Sequence, residues 1–269
     1  PALGEWTAFC DRESDAAAHA DVPEGMTADE YASWISSYGL APSISLFSSP
    51  FDETIDITHE IAFTPQSFEE MMFCHGLKLE ALRDELGGDE KALAVRCDVR
   101  SWEDQQTLVR ETLDRFGRLD AFFANAGFGA KRGFLEESVE YWKSMIDTNV
   151  LGAALSIRAS LAHFKREGRG HLLLTSSVAG RRTLPGSLYS ATKFAVTAMG
   201  EALRQEVAET DIKVTLIEPG MVDTPFFDSP PKIRALDADD IARAVMYAVS
   251  QPAHVDVNEI LIRPTDQDT

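Results

Sequence analysis

From about residue 77 to the end, apolar and polar positions alternate between two periods, one helical and one of short apolar runs. The segment LKLEALRDEL (77–86) spaces its leucines for a helix that stops at Gly87-Gly88. ALAVRCDV (92–99) is short and apolar and predicts a strand. SWEDQQTLVRETLDRFG (101–117) predicts a helix, opened by a serine cap with acids in its first turn. A strand at 119–127, a long amphipathic helix over roughly 136–166, a strand at 170–177 and a helix at 188–208 follow in turn. A strand at 212–220, a helix at 237–250 and a strand at 258–264 complete the series. Short apolar strands separated by longer helices predict right-handed βαβ units. The expected fold is therefore α/β, a Rossmann-like doubly wound parallel sheet with helices on both faces.

Residues 1–76 do not follow this rhythm. Their pattern suggests a helix at 28–37 capped by Thr27, strands near 43–48 and 55–63, and a helix near 66–73. Charge marks the same division. Residues 1–75 hold fourteen acidic side chains against Arg12 alone, a net of -13, and the remaining 194 residues are close to balanced at -6. The expected organisation is an atypical acidic segment over 1–76, in place of a first βαβ unit, and a catalytic region over 77–269, packed as one domain.

The total charge of -19 argues against nucleic acid and against anionic membrane surfaces as partners. No run of about 18 apolar residues is present to span a membrane, and no signal-peptide pattern is seen, so a cytoplasmic location is expected. Cys10, Cys74 and Cys97 are too few and too scattered for a disulfide framework or a zinc site, and no metal is expected.

Candidate chemistry collects where the predicted strands end, the edge at which parallel sheets bind ligands. Asp98-Val99 closes one strand, ANAG (124–127) the next, Ser176-Ser177 a third and Pro219-Gly220 a fourth. In GSLYSATKFAV (186–196), Tyr189 precedes Lys193 by one helical turn. Alone, such a pair is two side chains sharing a helix face. With a positive charge at i+4, however, the phenolate is favoured and tyrosine becomes usable as an acid/base near neutrality. Ser177 is placed to donate to a carbonyl oxygen as charge develops there. Ser176 is the other candidate at that strand end.

Taken in order, Asn149 in DTNVLG, Ser177 before VAG, and Tyr189 and Lys193 twelve and sixteen positions after Ser177 form a set that resembles the short-chain dehydrogenase/reductase family over about residues 77–264. The resemblance implies an oxidoreductase that interconverts a carbonyl and a secondary alcohol by hydride transfer with NADP(H) or NAD(H). Tyr189 is then the proton donor/acceptor, Lys193 its partner and a ribose anchor, Ser177 the carbonyl binder, and Asn149 the holder of a relay water. Cofactor contacts implied in the same way are Asp98, Val99, Asn125, Gly127, Tyr189, Lys193, Pro219, Val222 and Thr224. The partners it implies are a small-molecule carbonyl or alcohol substrate and a second copy of the chain, as a homodimer or homotetramer. Phe128, Phe226 and Phe227 either line the substrate pocket or pack the core edge.

One part of the family pattern is missing. The T-G-x-x-x-G-x-G loop that receives a pyrophosphate at a helix N-terminus does not occur in 1–76, whose glycines are only Gly4, Gly25, Gly39 and Gly76. Three accounts fit: a replacement that weakens or abolishes cofactor binding, an altered half-sheet with another way to hold a dinucleotide, or a chimera or shifted reading frame. The first leaves a rival function, a non-catalytic binding or scaffold protein of the same fold. A lyase or dehalogenase is disfavoured because Lys193 is retained.

Overall fold

A computed structural model describes residue 83, residues 92, 93 and 95, and residues 97–224, 226 and 233–268. The elements expected within 1–76 lie outside the described residues, as does the 77–86 helix except for Arg83, which is helical.

Four parallel strands form the described sheet in the order β1-β2-β3-β4: β1 Ala121–Ala124, β2 Arg169–Thr175, β3 Asp211–Pro219 and β4 Glu259–Ile262. Each crossover runs through a helix, as parallel neighbours require. The central pair is the longest, in register from Arg169 opposite Asp211 to Thr175 opposite Ile217.

The local sequence explains where the helices begin and end. Ser101 caps α1 (Trp102–Phe116) by accepting from the Asp104 backbone N–H, and Gly117 ends it at φ 72, a left-handed conformation that favours glycine. Ser138 caps α2 (Val139–Ile146), and Ser187 caps α4 (Leu188–Glu206). Asp237 and Asp240 form a reciprocal capping box at the start of α5 (Ala238–Val249).

The long helix expected over 136–166 is not continuous. It is interrupted by one π-helical turn, Asp147–Gly152, and resumes as α3 (Ala153–Glu167). The end of that turn is tightly packed. A Cβ on Gly152 would lie 2.8 Å from Val99 Cγ2, so the chain here presses directly on the 97–99 segment. Apolar periodicity is blind to one inserted residue, and such bulges occur where a helix must re-aim a side chain.

One face of the sheet (Phe122, Ala124, Leu172, Leu174, Ile212, Val214, Leu216) forms a single core with Leu108 and Val109 of α1, Ala159 and Phe164 of α3, and Val196, Leu203 and Val207 nearby. The other face is buried as well, through Leu173, Thr215 and Ile217. This two-sided burial is why the strands read as unbroken apolar runs.

The expected strand at 92–99 differs from what is observed. None of its described residues lies in a strand, although Ala92, Val95, Cys97 and Val99 are buried. Its apolar pattern reports burial, which a strand and an irregular buried segment share. The strand expected at 119–127 is confined to Ala121–Ala124, which leaves Asn125 to Gly127 free to turn into the site.

Candidate active site

Three of the four clusters read from the sequence lie at or beyond the carboxyl ends of observed strands, and the fourth, Asp98-Val99, ends a buried segment whose described residues form no strand. Asn125 and Gly127 follow β1, Ser176 and Ser177 follow β2, and Val222 and Thr224 follow β3. Tyr189 and Lys193 occupy the first two turns of α4, which begins after the β2 loop.

Asn149 sits at the centre of the π-helical turn and is fully buried. Its Oδ1 accepts from the Phe128 backbone N–H at 3.0 Å, and its Nδ2 donates to the Phe128 carbonyl at 2.9 Å and to Thr192 Oγ1 at 3.0 Å. Both amide hydrogens are thereby committed. Thr192 in turn donates to the Tyr189 carbonyl at 2.8 Å. Asn149 thus stitches the loop after β1 to the helix that carries Tyr189 and Lys193.

Lys193 is 3% exposed, and its Nζ donates to the Thr175 carbonyl at 2.9 Å. The ammonium lies 5.7 Å from the centroid of the Tyr189 ring, within cation–π range. Gly127 closes this corner. A Cβ there would sit 3.0 Å from Asn149 Oδ1 and 3.2 Å from Lys193 Nζ, so the absence of a side chain keeps a space in front of the lysine.

Burial pushes the Tyr189 phenol above its ordinary value, and a hydrogen bond with Ser177 opposes that rise. Desolvation therefore outweighs that hydrogen bond in setting its resting state. Near neutrality the group is a phenol with a proton to give. Ser177 caps the short 3-10 turn Val178–Gly180, accepting from Ala179 N at 3.1 Å, and its hydroxyl faces the Pro219 carbonyl at 3.4 Å. Ser176 is turned away from the phenol. Its Oγ donates to the Lys193 carbonyl at 3.0 Å and pairs with Thr197 Oγ1 at 2.7 Å. Of the two serines, Ser177 alone is hydrogen-bonded with the phenol, and Ser176 is engaged with the Lys193 carbonyl and Thr197.

The other expected cofactor contacts are placed as follows. Asn125 Oδ1 accepts from Thr175 Oγ1 at 2.6 Å. Val99 is buried, and Asp98 stands at the corner before α1 with its carboxylate held in the fork of Arg100, at 3.0 Å from Nε and 3.0 Å from Nη2. Any ligand that uses the Asp98 carboxylate must share it with this guanidinium. Beyond Pro219, Gly220 N donates to the Ile262 carbonyl, and Val222 bridges to Leu236, with Asp223 N donating to the Leu236 carbonyl. Thr224 Oγ1 accepts from Phe226 N at 3.4 Å.

Phe226 lies edge-on to Tyr189, with centroids 5.7 Å apart, and a Cβ on Gly129 would lie 3.1 Å from its ring. Phe128 is buried against Tyr141, whose hydroxyl donates to the Gly129 carbonyl at 2.6 Å. Phe128 therefore packs the core edge, while Phe226 borders the reacting group. Phe227 lies outside the described residues. Sequence reasoning missed Thr192, Thr175 and Tyr141. Only Thr192 carried a signal, since i+3 from Tyr189 places it on the same helical flank.

At this end of the site the residues fit a nicotinamide riboside: a buried ammonium and a phenol flank a space that a Cβ on Gly127 would fill. Among the described residues, no group of three or more His, Cys, Asp or Glu is placed to hold a metal ion, and no helix is long and apolar enough to cross a membrane.

The family model described as short chain dehydrogenase matches residues 72–232. An uncharacterised oxidoreductase from Staphylococcus haemolyticus is 39% identical over 190 residues, which cover 70% of this chain and 82% of that protein. Among solved structures, serine dehydrogenase from Escherichia coli is 30% identical with a TM-score of 0.63, covering 71% of this chain and 83% of that one. An alcohol dehydrogenase from the archaeon Thermococcus sibiricus, complexed with 5-hydroxy-NADP, is 31% identical with a TM-score of 0.62, covering 70% and 80%.

Proposed function

The chain belongs to the short-chain dehydrogenase family, and on that footing we propose that it interconverts a carbonyl and a secondary alcohol with NADP(H) or NAD(H), using Tyr189 as the proton donor and acceptor. The observation that carries this reading is the convergence of three elements on one phenol: Ser177 bonds it, Lys193 lies under its ring, and Asn149 and Thr192 fix the helix that bears it. A similar solved structure is a complex with 5-hydroxy-NADP, which favours a dinucleotide here.

When bound, the nicotinamide supplies or accepts the hydride. The protein's part is proton transfer and positioning. In the direction of reduction, the Ser177 hydroxyl donates to the carbonyl oxygen of the substrate and orients it, and Tyr189 gives that oxygen its phenolic proton. The phenolate left behind is stabilised by the Lys193 ammonium. Lys193 and Tyr189 are the side chains that would hold the nicotinamide ribose, with Gly127 leaving the room. Because both amide hydrogens of Asn149 are used, a relay water there rests on an acceptor and not on the amide donor. Phe226 borders the substrate space and favours a small or medium, partly apolar carbonyl compound. Family analogy extends to a homodimer or homotetramer.

Two measurements test the reading. Titration with NADPH and with NADH, followed by nicotinamide fluorescence, is expected to give micromolar binding of at least one. Replacing Tyr189 by Phe is expected to lower kcat by about 10²-fold or more, the usual worth of a general acid, with the melting temperature unchanged. No binding up to millimolar concentration moves the assignment to a cofactor-free binding or scaffold protein, and full activity of Tyr189→Phe removes the role given to the phenol.

A further inference from the structure

The catalytic groups proposed above do not use a chain of polar side chains that runs directly behind them. Ser176 Oγ donates to the Lys193 carbonyl, and Thr197 Oγ1 lies 2.7 Å from Ser176 Oγ and 3.4 Å from Glu218 Oε1, with a single hydroxyl hydrogen to serve one of the two at a time. Glu218 is 1% exposed on an otherwise apolar stretch of β3, one residue before Pro219. Its carboxylate accepts from Arg181 Nε at 2.7 and 2.9 Å, and Arg181 Nη2 pairs with Glu259 on β4. Gly180 lies flat against the chain. A Cβ there would meet Ser176 Oγ at 2.4 Å and the Lys193 carbonyl and Thr197 Oγ1 at 2.8 Å each.

We propose that Arg181 and Glu218 are a positioning pair that sets the Ser177 turn against Tyr189. Arg181 directly follows the 3-10 turn whose first hydrogen bond is to Ser177, so anchoring its guanidinium on β3 and β4 fixes where the serine hydroxyl points. Stability is a poor explanation for the pair. Burying a carboxylate on an apolar strand costs desolvation that the ion pair roughly offsets, and an apolar pair of similar volume usually serves stability as well or better. What an apolar pair lacks is direction: a guanidinium hydrogen-bonded through Nε to Glu218 on β3 and ion-paired with Glu259 on β4 is tethered to two strands. The inference rests on the functional reading above for its consequence in turnover, and on geometry alone for the order of the turn.

The test compares wild type, Glu218→Gln, Arg181→Met and the double variant Arg181→Met/Glu218→Leu by hydrogen exchange and mass spectrometry, with melting temperature measured alongside. The reporters are the amides of Ala179, Gly180 and Arg181, which bond to Ser177 Oγ, the Ser177 carbonyl and the Val178 carbonyl. Exchange in the peptide over 177–184 is expected to quicken at least tenfold in both single variants, with peptides from α1 and α3 unchanged. The double variant has no orphaned buried charge, so its melting temperature should recover while the turn stays fast. A turn whose protection is unaltered in the single variants, or is restored in the double variant, overturns the proposal. With a carbonyl substrate and NADPH, the single variants are expected to lose at least tenfold in kcat while NADPH affinity is retained. If wild type shows no turnover, the functional reading fails by itself and the exchange result still decides the positioning role.

Discussion

His171 gives the structure a pH dependence that can be worked out from its partners. Thr215 donates its hydroxyl hydrogen to the Val257 carbonyl at 2.6 Å, so its contact with His171 Nε2 at 2.7 Å must be one in which the imidazole donates. The ring is therefore the neutral Nε2–H tautomer. Its Nδ1 is buried without a hydrogen-bond partner. Protonating Nδ1 would place a charge in a site 4% exposed, and burial together with Lys213 lowers the folded-state pKa to about 3. An unfolded histidine titrates near 6.5, so between these values the unfolded chain binds more protons than the folded one. The contribution to stability is complete above about pH 6.5 and is lost as pH falls toward about 3. At pH 5.5 the unfolded imidazole is about 90% protonated and the folded one is not, a difference of about one pH unit, or about 1.4 kcal/mol. Urea unfolding of wild type and His171→Gln at pH 7.5, 6.5 and 5.5 isolates it, because Gln keeps a donor toward Thr215 and cannot charge. Between pH 7.5 and 5.5 the wild type should lose about 1.4 kcal/mol more than the variant. Unfolding energies that change in parallel would refute both the tautomer and the assignment of the penalty.

Gly170→Ala should destabilise by about 3 kcal/mol, read as a fall in melting temperature of about 6–12 °C. Gly170 has φ 156, and a Cβ would lie 2.1 Å from the buried ring of Phe164. Gly127→Ala should lower the melting temperature by a few degrees, because the methyl presses on buried Asn149 and Lys193, and weaken NADPH binding at least tenfold by fluorescence titration. Asn149→Ala removes three hydrogen bonds and strands both polar groups of the Phe128 backbone, so denaturant unfolding should show a loss of about 3 kcal/mol in addition to lost turnover.

Much of this arrangement is legible in the sequence because it depends on period and order. The strand–helix alternation after residue 100 follows from apolar runs and serine caps, and Tyr189, Lys193 and Ser177 fall together because parallel strands all end on one edge. Three features escape that reasoning. The π turn at Asp147–Gly152 inserts a residue that no periodicity marks, yet it is what places Asn149 against Phe128 and Thr192. The ALAVRCDV segment is apolar because it is buried, and its described residues form no strand. The tyrosine's acidity depends on how far burial outweighs the Ser177 hydrogen bond, a balance that spacing along a helix does not contain.

The same logic explains why the carbonyl end of the site can be argued from this chain and the phosphate end cannot. Among the described residues, the groups named around Tyr189 come from elements after residue 100 and are held by contacts among those elements: Lys193 by Thr175, Asn149 by Phe128 and Thr192, and the Ser177 turn by Arg181 through Glu218. None of these contacts requires the glycine-rich loop that 1–76 lacks. On the proposed reading, proton transfer and dinucleotide affinity should therefore respond separately. A variant that disturbs the Phe128–Asn149–Thr192 stitch should change kcat and leave the affinity for the adenosine diphosphate part of NADPH as it was, measured by competition with adenosine 2′,5′-bisphosphate. If that affinity falls in step with kcat, the two ends are coupled through the Asp98–Val99 corner, where Gln105 links the Val99 carbonyl to Ser156 on α3, and the independence argued here is wrong.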